Sequence, residues 1–144
     1  MKKIVSLSLA LMLAIVCSFG LSACDKKKDE APKGLWKDAK YTEDKEFGDG
    51  DKTVVVKVKA DDESVTFTIK TDEATVGAAL IEHDLVDGEQ GDYGLYIKSV
   101  NGITADYDKD KAYWAFYVDG EYATSGVDTT EIDEKAEYSL EYTK

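Results

Sequence analysis

The segment AYWAFYVDGEYATSGV, residues 112–127, decides the fold because it joins an aromatic strand to a tight turn. Side chains alternate between the two faces of a strand, so Tyr113 and Tyr117 share one face. Trp114 and Phe116 share the opposite face. One face must cover the core, and the more apolar set is predicted to do so: Trp114, Phe116 and Val118.

Four further segments show strand signals on either side of this one. Residues 53–60 (TVVVKVKA) and 65–71 (VTFTIKT) alternate apolar and polar side chains around a polar turn, which predicts a hairpin. Residues 93–102 (YGLYIKSVNG) and 137–143 (EYSLEYT) alternate in the same way. Two pairs of residues are typical of tight turns between strands: Asn101-Gly102 and Asp119-Gly120.

One segment, residues 72–86 (DEATVGAALIEHDLV), changes to a helical period. Its apolar stripe follows the i, i+3, i+4, i+7 spacing of a short amphipathic helix. The stripe consists of Val76, Ala79, Leu80 and His83. The element order is therefore β-β-α-β-β-β. This order predicts an α+β fold, in which one short helix packs on one face of a mixed sheet.

The beginning of the chain has the layout of a secretory signal peptide, predicted to cover residues 1–23. Its apolar run ends in Leu21-Ser22-Ala23-Cys24, which resembles the bacterial lipobox. The resemblance implies cleavage before Cys24, attachment of diacylglycerol to its thiol, and a palmitate-bearing lipoprotein on the extracytoplasmic face of the cell membrane. The alternative is a transmembrane anchor in which Cys24 is incidental, because the run approaches the roughly 20 residues that span a bilayer.

Composition divides the remaining chain at residue 52. Residues 24–51 are rich in Lys, Asp, Glu and Gly, and are predicted to be the lipidated Cys and a flexible tether. Residues 52–144 carry the strand and helix patterns and are predicted to form one domain. Scattered apolar residues of the tether either dock on the domain or form a short first strand: Leu35, Trp36, Tyr41 and Phe47.

The chain is strongly acidic, with 18 basic and 30 acidic residues and no arginine. Loss of residues 1–23 removes two lysines and no acidic residue, so the formal charge changes from −12 to −14. Nucleic acid binding depends on Lys and Arg that neutralise phosphates, so a nucleic acid partner is not expected. The acidity is interpreted as a source of solubility and self-repulsion at a cell surface.

The sequence contains no recognisable catalytic motif. Its two cysteines are Cys17 and Cys24, both assigned to the export signal, so no thiol remains in the predicted domain. There is one histidine, and there is neither a G-x-S-x-G motif nor a phosphate-binding glycine loop. The sequence therefore predicts a protein that is not an enzyme and requires no cofactor.

The part of the domain from the helix onward resembles a known family. Four segments occur in the order typical of the family: residues 75–86 (TVGAALIEHDLV), 93–107 (YGLYIKSVNGITADY), 113–133 (YWAFYVDGEYATSGVDTTEID) and 138–143 (YSLEYT). In this order they resemble the transcobalamin-like C-terminal domain family, which is a domain of unknown function in many bacterial surface proteins. The sequence departs from the family at Glu134-Lys135-Ala136, where Gly-Asp is usual, which affects the geometry of one turn.

The resemblance implies a β-grasp-like fold. In the vertebrate vitamin B12 carriers, the similar domain closes over the corrinoid against a large helical domain. The sequence of 144 residues is too short to hold such a helical domain as well. Cobalamin is therefore implied as a candidate ligand rather than as a required cofactor.

Tyrosines that point away from the predicted core are candidates for a binding site. Tyr96, Tyr113 and Tyr117 are predicted to lie on the sheet face without a helix, together with Val55 and Thr68. One interpretation is cross-strand aromatic pairing that stabilises a half-exposed sheet. The other is a binding face for a flat ligand or a partner. Loop residues would form its rim: Tyr93, Tyr107, Tyr122, Thr124 and Ser125.

Two patterns suggest metal ligands, and neither is complete. His83 has no second His or Cys to help it, and it is interpreted as a core or helix-terminus residue. A D-x-D-x-D spacing lacks the glycine and the glutamate of a calcium loop, whose positions hold Lys111 and Tyr117. Its members are interpreted as a solvated acidic loop: Asp106, Asp108 and Asp110.

Two functional hypotheses remain. The first is a membrane-anchored, non-catalytic binding module for a small ligand, of which a corrinoid is one candidate. The second is a structural or adhesion module that binds only protein or glycan partners at the surface. A concave, continuous aromatic patch on the face without a helix would favour the first hypothesis. A flat face or an exposed strand edge would favour the second.

Overall fold

The computed structural model describes residues 31–144. The predicted signal peptide and Cys24 lie outside the described residues. The elements of the described part are, in chain order, a 3-10 helix (Gly34–Asp38), β1 (Lys45–Gly48), β2 (Lys52–Ala60), β3 (Glu63–Thr71), α1 (Val76–Glu82), β4 (Val86–Gly91), β5 (Gly94–Val100), β6 (Ile103–Thr104), α2 (Tyr107–Asp110), β7 (Tyr113–Val118), β8 (Glu121–Tyr122) and β9 (Tyr138–Thr143). Among these elements, no helix has both the length and the apolar character needed to cross a membrane.

Six strands form the main sheet, in the order β1-β3-β2-β9-β7-β8. β2 and β3 form the predicted antiparallel hairpin, β9 lies parallel to β2, and β7 lies antiparallel to β9. The turn after β7 has positive φ at both Asp119 and Gly120, as a tight hairpin turn requires. All five predicted strands form, and the predicted α+β, β-grasp-like class is confirmed.

The third predicted strand, β5, corrects the expectation of a single sheet. It pairs with β4 and β6 in a separate three-stranded sheet. The sequence of β4, VDGEQG, has no apolar alternation, and its pairing shifts at a bulge between Asp87 and Gly88. β6 has only two residues, which is too short to show a period. Neither partner of β5 was therefore visible in the sequence.

The helix α1 packs its apolar stripe on one face of the main sheet. Its N-terminus is capped by Thr75, whose Oγ1 accepts a hydrogen bond from the Ala78 amide at 3.3 Å. The buried residues of α1 and the inward residues of β2 belong to one hydrophobic core: Val76, Ala79, Leu80, Val54, Val56 and Val58. Among residues 31–144, no helix packs on the opposite face of the sheet.

Residues 34–48 form an N-terminal strap that packs on the domain. Trp36 is only 2% exposed, and its Nε1–H donates a hydrogen bond to the Ala60 carbonyl at 2.8 Å. Tyr41 and Phe47 make edge-to-face contacts with each other and with Phe67. The sequence left open whether these residues dock or form a strand, and both occur. The packed part of the chain therefore includes residues before position 52.

Asn101 holds the middle of the strap. It is fully buried at the predicted Asn101-Gly102 turn, with a left-handed φ of 51°. Its Nδ2 donates to the Tyr41 carbonyl at 2.7 Å, and its Oδ1 accepts from the Tyr41 amide at 3.0 Å. Its backbone carbonyl accepts a third hydrogen bond from the Lys40 amide. A residue predicted only as part of a turn is thus the main polar contact of the strap.

Candidate functional site

The face of the main sheet opposite α1, called the helix-free face, is the candidate site. Directly opposed residues of neighbouring strands lie on the same face, so the strand register defines its composition. One row runs across five strands: Thr66, Lys57, Ser139, Tyr117 and Tyr122. At about 4.8 Å between strands, this row is roughly 19 Å long. Lys57 and Tyr122 are its most exposed members.

The aromatic part of the face is a cross-strand pair. The rings of Tyr117 and Tyr122 meet edge to face, with centroids 5.6 Å apart. Tyr113 lies four residues before Tyr117 on the same face and is half-buried. Cross-strand pairing, one of the two interpretations from the sequence, is therefore present. The exposed fraction of Tyr122, 62%, still leaves much of this ring open to solvent.

The predicted core assignment of the same strand is confirmed. Trp114 and Phe116 are buried, and Val118 is half-buried. The Nε1–H of Trp114 donates to the Ile103 carbonyl at 3.0 Å, so burial leaves no unpaired donor on the indole. Phe116 stacks on Tyr138 of the neighbouring strand.

Tyr96 does not lie on the helix-free face, because β5 belongs to the three-stranded sheet. Tyr93, which is 94% exposed, lies at the turn between β4 and β5. Tyr107 begins α2, where Lys111 Nζ lies 5.1 Å from its ring centroid. Ser125 follows β8 with exposed Thr124, and its Oγ lies 3.3 Å from Thr130 Oγ1. The structure thus brings three predicted site residues together on the helix-free face: Tyr113, Tyr117 and Tyr122.

The helix-free face also carries lysines that were not among the predicted site residues. Lys57 and Lys59 are polar positions in the alternation of residues 53–60. The strand positions of the helix-free face hold three lysines and two carboxylates: Lys57, Lys59, Lys70, Glu46 and Glu141. Asp44 adds one carboxylate at the β3 end of the row, where it accepts a hydrogen bond from the Thr66 amide. The parallel pairing of β2 with β9, which no sequence period indicates, places the lysines beside Ser139 and Glu141.

A polar depression of about 360 Å³ adjoins the helix-free face. Its lining residues are Lys59, Asp61, Glu141, Tyr142 and Lys144. Burial raises the pKa of the Tyr142 hydroxyl, and the nearby carboxylates of Asp110 and Asp61 raise it further. Tyr142 is the one aromatic residue that lines this depression, so the depression itself is not a concave aromatic patch.

The apparent metal-ligand patterns do not form a metal site among residues 31–144. His83 is the C-terminal cap of α1, as predicted, and its ring packs on Phe47 with centroids 5.2 Å apart. Its Nε2 is buried without a hydrogen bond and lies 3.7 Å from Glu82 Oε2. Asp106 caps α2 by accepting hydrogen bonds from the Asp108 and Lys109 amides. No group of three or more His, Cys, Asp or Glu in the described range could hold a metal ion.

Asp128 connects the loop before β9 to the three-stranded sheet. Its Oδ1 accepts a hydrogen bond from the Leu95 amide at 2.8 Å, and its Oδ2 accepts one from Gln90 Nε2 at 3.3 Å. Partial burial tends to raise the pKa of Asp128, but these hydrogen bonds outweigh it and the net pKa is lowered.

A Cβ at Gly77 of α1 would lie 2.7 Å from Asp128 Cα, so the helix approaches this loop closely only because it has glycine there.

Residues 73–144, half of the chain, match the family described as "Domain of unknown function (DUF4430)". The chain belongs to this family. The family resemblance inferred from the sequence is therefore confirmed. The matched part contains Tyr113, Tyr117, Tyr122 and Ser139, whereas Lys57 lies before it. The helix-free face of this family member thus combines residues from inside and outside the matched region.

Two solved structures are similar to this family member. A proposed metal-binding protein from Ruminococcus gnavus ATCC 29149 is 32% identical, with a TM-score of 0.61, over 65% of this chain and 98% of that chain. Haptocorrin in complex with Cbi is 17% identical, with a TM-score of 0.47, over 67% of this chain and 26% of that chain. The chain thus corresponds to about a quarter of haptocorrin. No functionally curated protein matches the chain significantly.

Proposed function

We propose that this protein is a lipid-anchored, extracytoplasmic binding module whose ligand site is the helix-free face. The observation that carries the proposal is the open row of hydroxyl, lysine and tyrosine side chains across five strands. Tyr113, Tyr117 and Tyr122 supply amphipathic rings, which suit a ligand that is partly apolar and partly polar.

The proposed location rests on the lipobox resemblance of residues 21–24. Acylation of Cys24 would anchor the module, because each buried methylene adds about 0.8 kcal/mol and two chains hold firmly. The test is expression of the full chain in a bacterial host with labelled palmitate. We expect label in the natural chain and loss of label in Cys24→Ala. Equal labelling of the two chains, or membrane fractionation of a natural chain that carries no label, would contradict the lipid anchor.

The module is proposed to bind without catalysis and without a required cofactor. The support is compositional: the sequence offers one histidine, no cysteine after Cys24, and no nucleophile motif. The metal binding proposed for the R. gnavus relative is not extended to this chain, because residues 31–144 contain no suitable group of ligands.

A corrinoid is the small ligand that the sequence resemblance implies. The test is calorimetric titration of residues 24–144, which include the whole described domain, with cobalamin and cobinamide. Binding at the proposed site is expected to be lost in the Tyr113→Ala/Tyr117→Ala variant. The matched control is Tyr93→Ala/Tyr107→Ala, which removes two exposed tyrosines from outside the main sheet.

Different results of this titration test the location of the site and the identity of the ligand. Binding that survives the Tyr113/Tyr117 change while circular dichroism shows a folded domain would reject the helix-free face as the site. Absence of binding at high micromolar concentration would reject the corrinoid and leave the face for another ligand.

The rival hypothesis is a structural or adhesion module that binds only protein or glycan partners, and one mode available to it is the addition of a strand to a sheet edge. The edge strands of the main sheet argue against this mode, because β1 has four residues and β8 has two. Short, charged edges protect a sheet from pairing with another chain. Protein or glycan partners that bind the helix-free face rather than an edge are compatible with the proposed binding role.

A further inference from the structure

Four polar side chains of the helix-free face make no side-chain hydrogen bond or ion pair among the described residues: Lys57, Lys59, Thr66 and Ser139. Among residues 31–144, neither Lys57 Nζ nor Lys59 Nζ forms an ion pair or a hydrogen bond. The hydroxyl groups of Thr66 and Ser139 likewise make no hydrogen bond to the described residues. Lys59 lies directly opposite Glu141 across β2 and β9, yet their charged atoms are not within ion-pair distance. These groups are therefore available to a ligand.

The charge of the helix-free face differs from that of the molecule. The whole sequence has 30 acidic and 18 basic residues, whereas this face, with Asp44 included, carries three lysines and three carboxylates and is locally neutral. In water with salt, an electrostatic field decays over about 8 Å, so a bound ligand responds mainly to the nearest charges. Lys57 and Lys59, which form no ion pair among the described residues, therefore offer two ammonium groups to an anionic group of a ligand on a locally neutral face, although the protein as a whole is negative.

The geometry of the row suits an extended polymer. Successive side chains are separated by the spacing of neighbouring strands, about 4.8 Å. This spacing is close to the length of one pyranose unit in a linear polysaccharide. The hydroxyl groups of Thr66 and Ser139 can each donate one hydrogen bond and accept others, as sugar hydroxyls can. The ring of Tyr122 at one end of the row is exposed and amphipathic, so it can cover the apolar side of a sugar ring.

We propose that the helix-free face binds a linear anionic polysaccharide that runs across the strands, with Lys57 and Lys59 contacting its acidic groups. This inference rests on the proposed function and names the ligand class of the same site. An acidic polypeptide fits less well, because an extended peptide gains most of its hydrogen bonds from a free strand edge, and the edges of this sheet are short.

The test compares two polysaccharides that have the same sugar backbone and differ in charge. Residues 24–144, with Cys24→Ser to prevent disulfide dimers, are titrated with polygalacturonate and with its fully methyl-esterified form, which has no charge. We expect saturable binding of the anionic polymer only. The variant Lys57→Gln/Lys59→Gln is expected to bind it about tenfold more weakly. The matched control, Lys37→Gln/Lys135→Gln, loses the same charge from exposed positions outside the helix-free face and should bind normally.

Each alternative outcome overturns the inference in a distinct way. Equal binding of the esterified polymer, or equal weakening by both lysine pairs, would remove the specific role of Lys57 and Lys59. Equal binding of poly-glutamate would indicate a general anion surface rather than a polysaccharide site. Cobinamide binding without polygalacturonate binding would leave the proposed function standing and reject this ligand class. Failure of both ligands, in a domain that circular dichroism shows to be folded, would reject the polysaccharide and remove the support for the proposed site.

Discussion

Asn101 shows how one residue can connect distant parts of this chain. Its side chain bonds both backbone groups of Tyr41, which lies 60 residues away in the sequence. An amide side chain carries a donor group and an acceptor in the same plane, so it can pair with a peptide group as a second peptide would. The left-handed backbone at Asn101 places the side chain under the strap.

Two substitutions of Asn101 are expected to lower the free energy of unfolding by different amounts, because one removes only the hydrogen bonds and the other also strains the backbone. Asn101→Gly keeps the left-handed turn and removes the hydrogen bonds, which should lower the free energy of unfolding by about 2 kcal/mol. Asn101→Ala should cost about 1 kcal/mol more, because alanine is strained at positive φ. Urea unfolding at neutral pH measures both values. Losses below about 0.5 kcal/mol in both variants would contradict this account.

Asp128 is expected to make stability depend on pH. Its folded-state pKa is lower than its ordinary value of 3.8, so the ionised carboxylate stabilises the folded state. That contribution is fully present above the ordinary value and is lost as the pH falls through the folded-state pKa. The difference in unfolding free energy between the natural chain and Asp128→Asn should be constant near neutral pH and shrink below about pH 4.

Urea unfolding between about pH 3 and pH 7 checks this expectation for Asp128. Asp92→Asn is the control, because Asp92 is an exposed turn residue next to the same sheet. If the loss of unfolding free energy in Asp128→Asn grows toward acid pH, the pH dependence has the wrong sign. If that loss is as small as in Asp92→Asn at every pH, Asp128 does not have the proposed role.

At the scale of elements, the N-terminal strap is held by its aromatic residues rather than by a long ladder of hydrogen bonds. β1 contributes only four residues, paired in parallel with β3. Trp36 fills a buried site beside Ala60, and Phe47 packs against Phe67 and His83. This short segment, which has regular secondary structure only at its two ends, is ordered because its apolar residues each have a separate place to pack.

Trp36→Ala is expected to lower the free energy of unfolding by about 3–5 kcal/mol, because it empties a site in the core. Trp36→Phe is the matched variant: it keeps an aromatic ring, loses the hydrogen bond to Ala60, and should cost less. Urea unfolding followed by far-UV circular dichroism gives the values. If Trp36→Ala unfolds at nearly the same urea concentration as the natural chain, the strap is not part of the stable domain.

Elements with a clear period were predictable from the sequence, and those without one were not. The alternation in residues 53–60 and 65–71 identified β2 and β3, and the helical stripe identified α1. β4 has a bulge and two glycines, and β6 and β8 have two residues each, so none of them shows a period. Their formation depends on tertiary contacts that are not encoded in local spacing.

The candidate site was predictable only within single strands. Alternation placed Tyr113 and Tyr117 on one face and Trp114 and Phe116 on the other, and the structure agrees. The row across strands depends on register, and the parallel pairing of β2 with β9 joins residues some 80 positions apart. Local sequence carries no signal for such a pairing, so neither the lysines of the face nor the displacement of Tyr96 was foreseen.

At the scale of the whole molecule, unbalanced negative charge opposes the compact state. Without residues 1–23, the chain carries a formal charge of −14. Ion pairs such as Lys98–Glu89, at 2.6 Å, compensate only a part of it. Self-repulsion of this kind keeps a protein soluble and lowers its stability.

Salt is therefore expected to stabilise the domain at neutral pH. Raising NaCl from about 0.02 M to about 0.5 M shortens the range of repulsion severalfold. A gain of roughly 1 kcal/mol would raise Tm by about 4 °C for a domain of this size. The control is the same comparison near pH 4.5, close to the isoelectric point, where the effect should be small. A fall in Tm with salt at neutral pH would contradict this view.

Docking of the strap also limits how far the domain can stand from its proposed attachment. Cys24 precedes Lys33 by nine residues, and nine fully extended residues span at most about 30 Å. The point where the chain leaves the domain is close to Trp36, beside the end of β2. If Cys24 is lipidated, as proposed, the domain would therefore stand at most about 30 Å from the membrane surface. A module anchored in this way would sample a thin layer next to the lipid surface, and it would meet only those polymers that enter this layer.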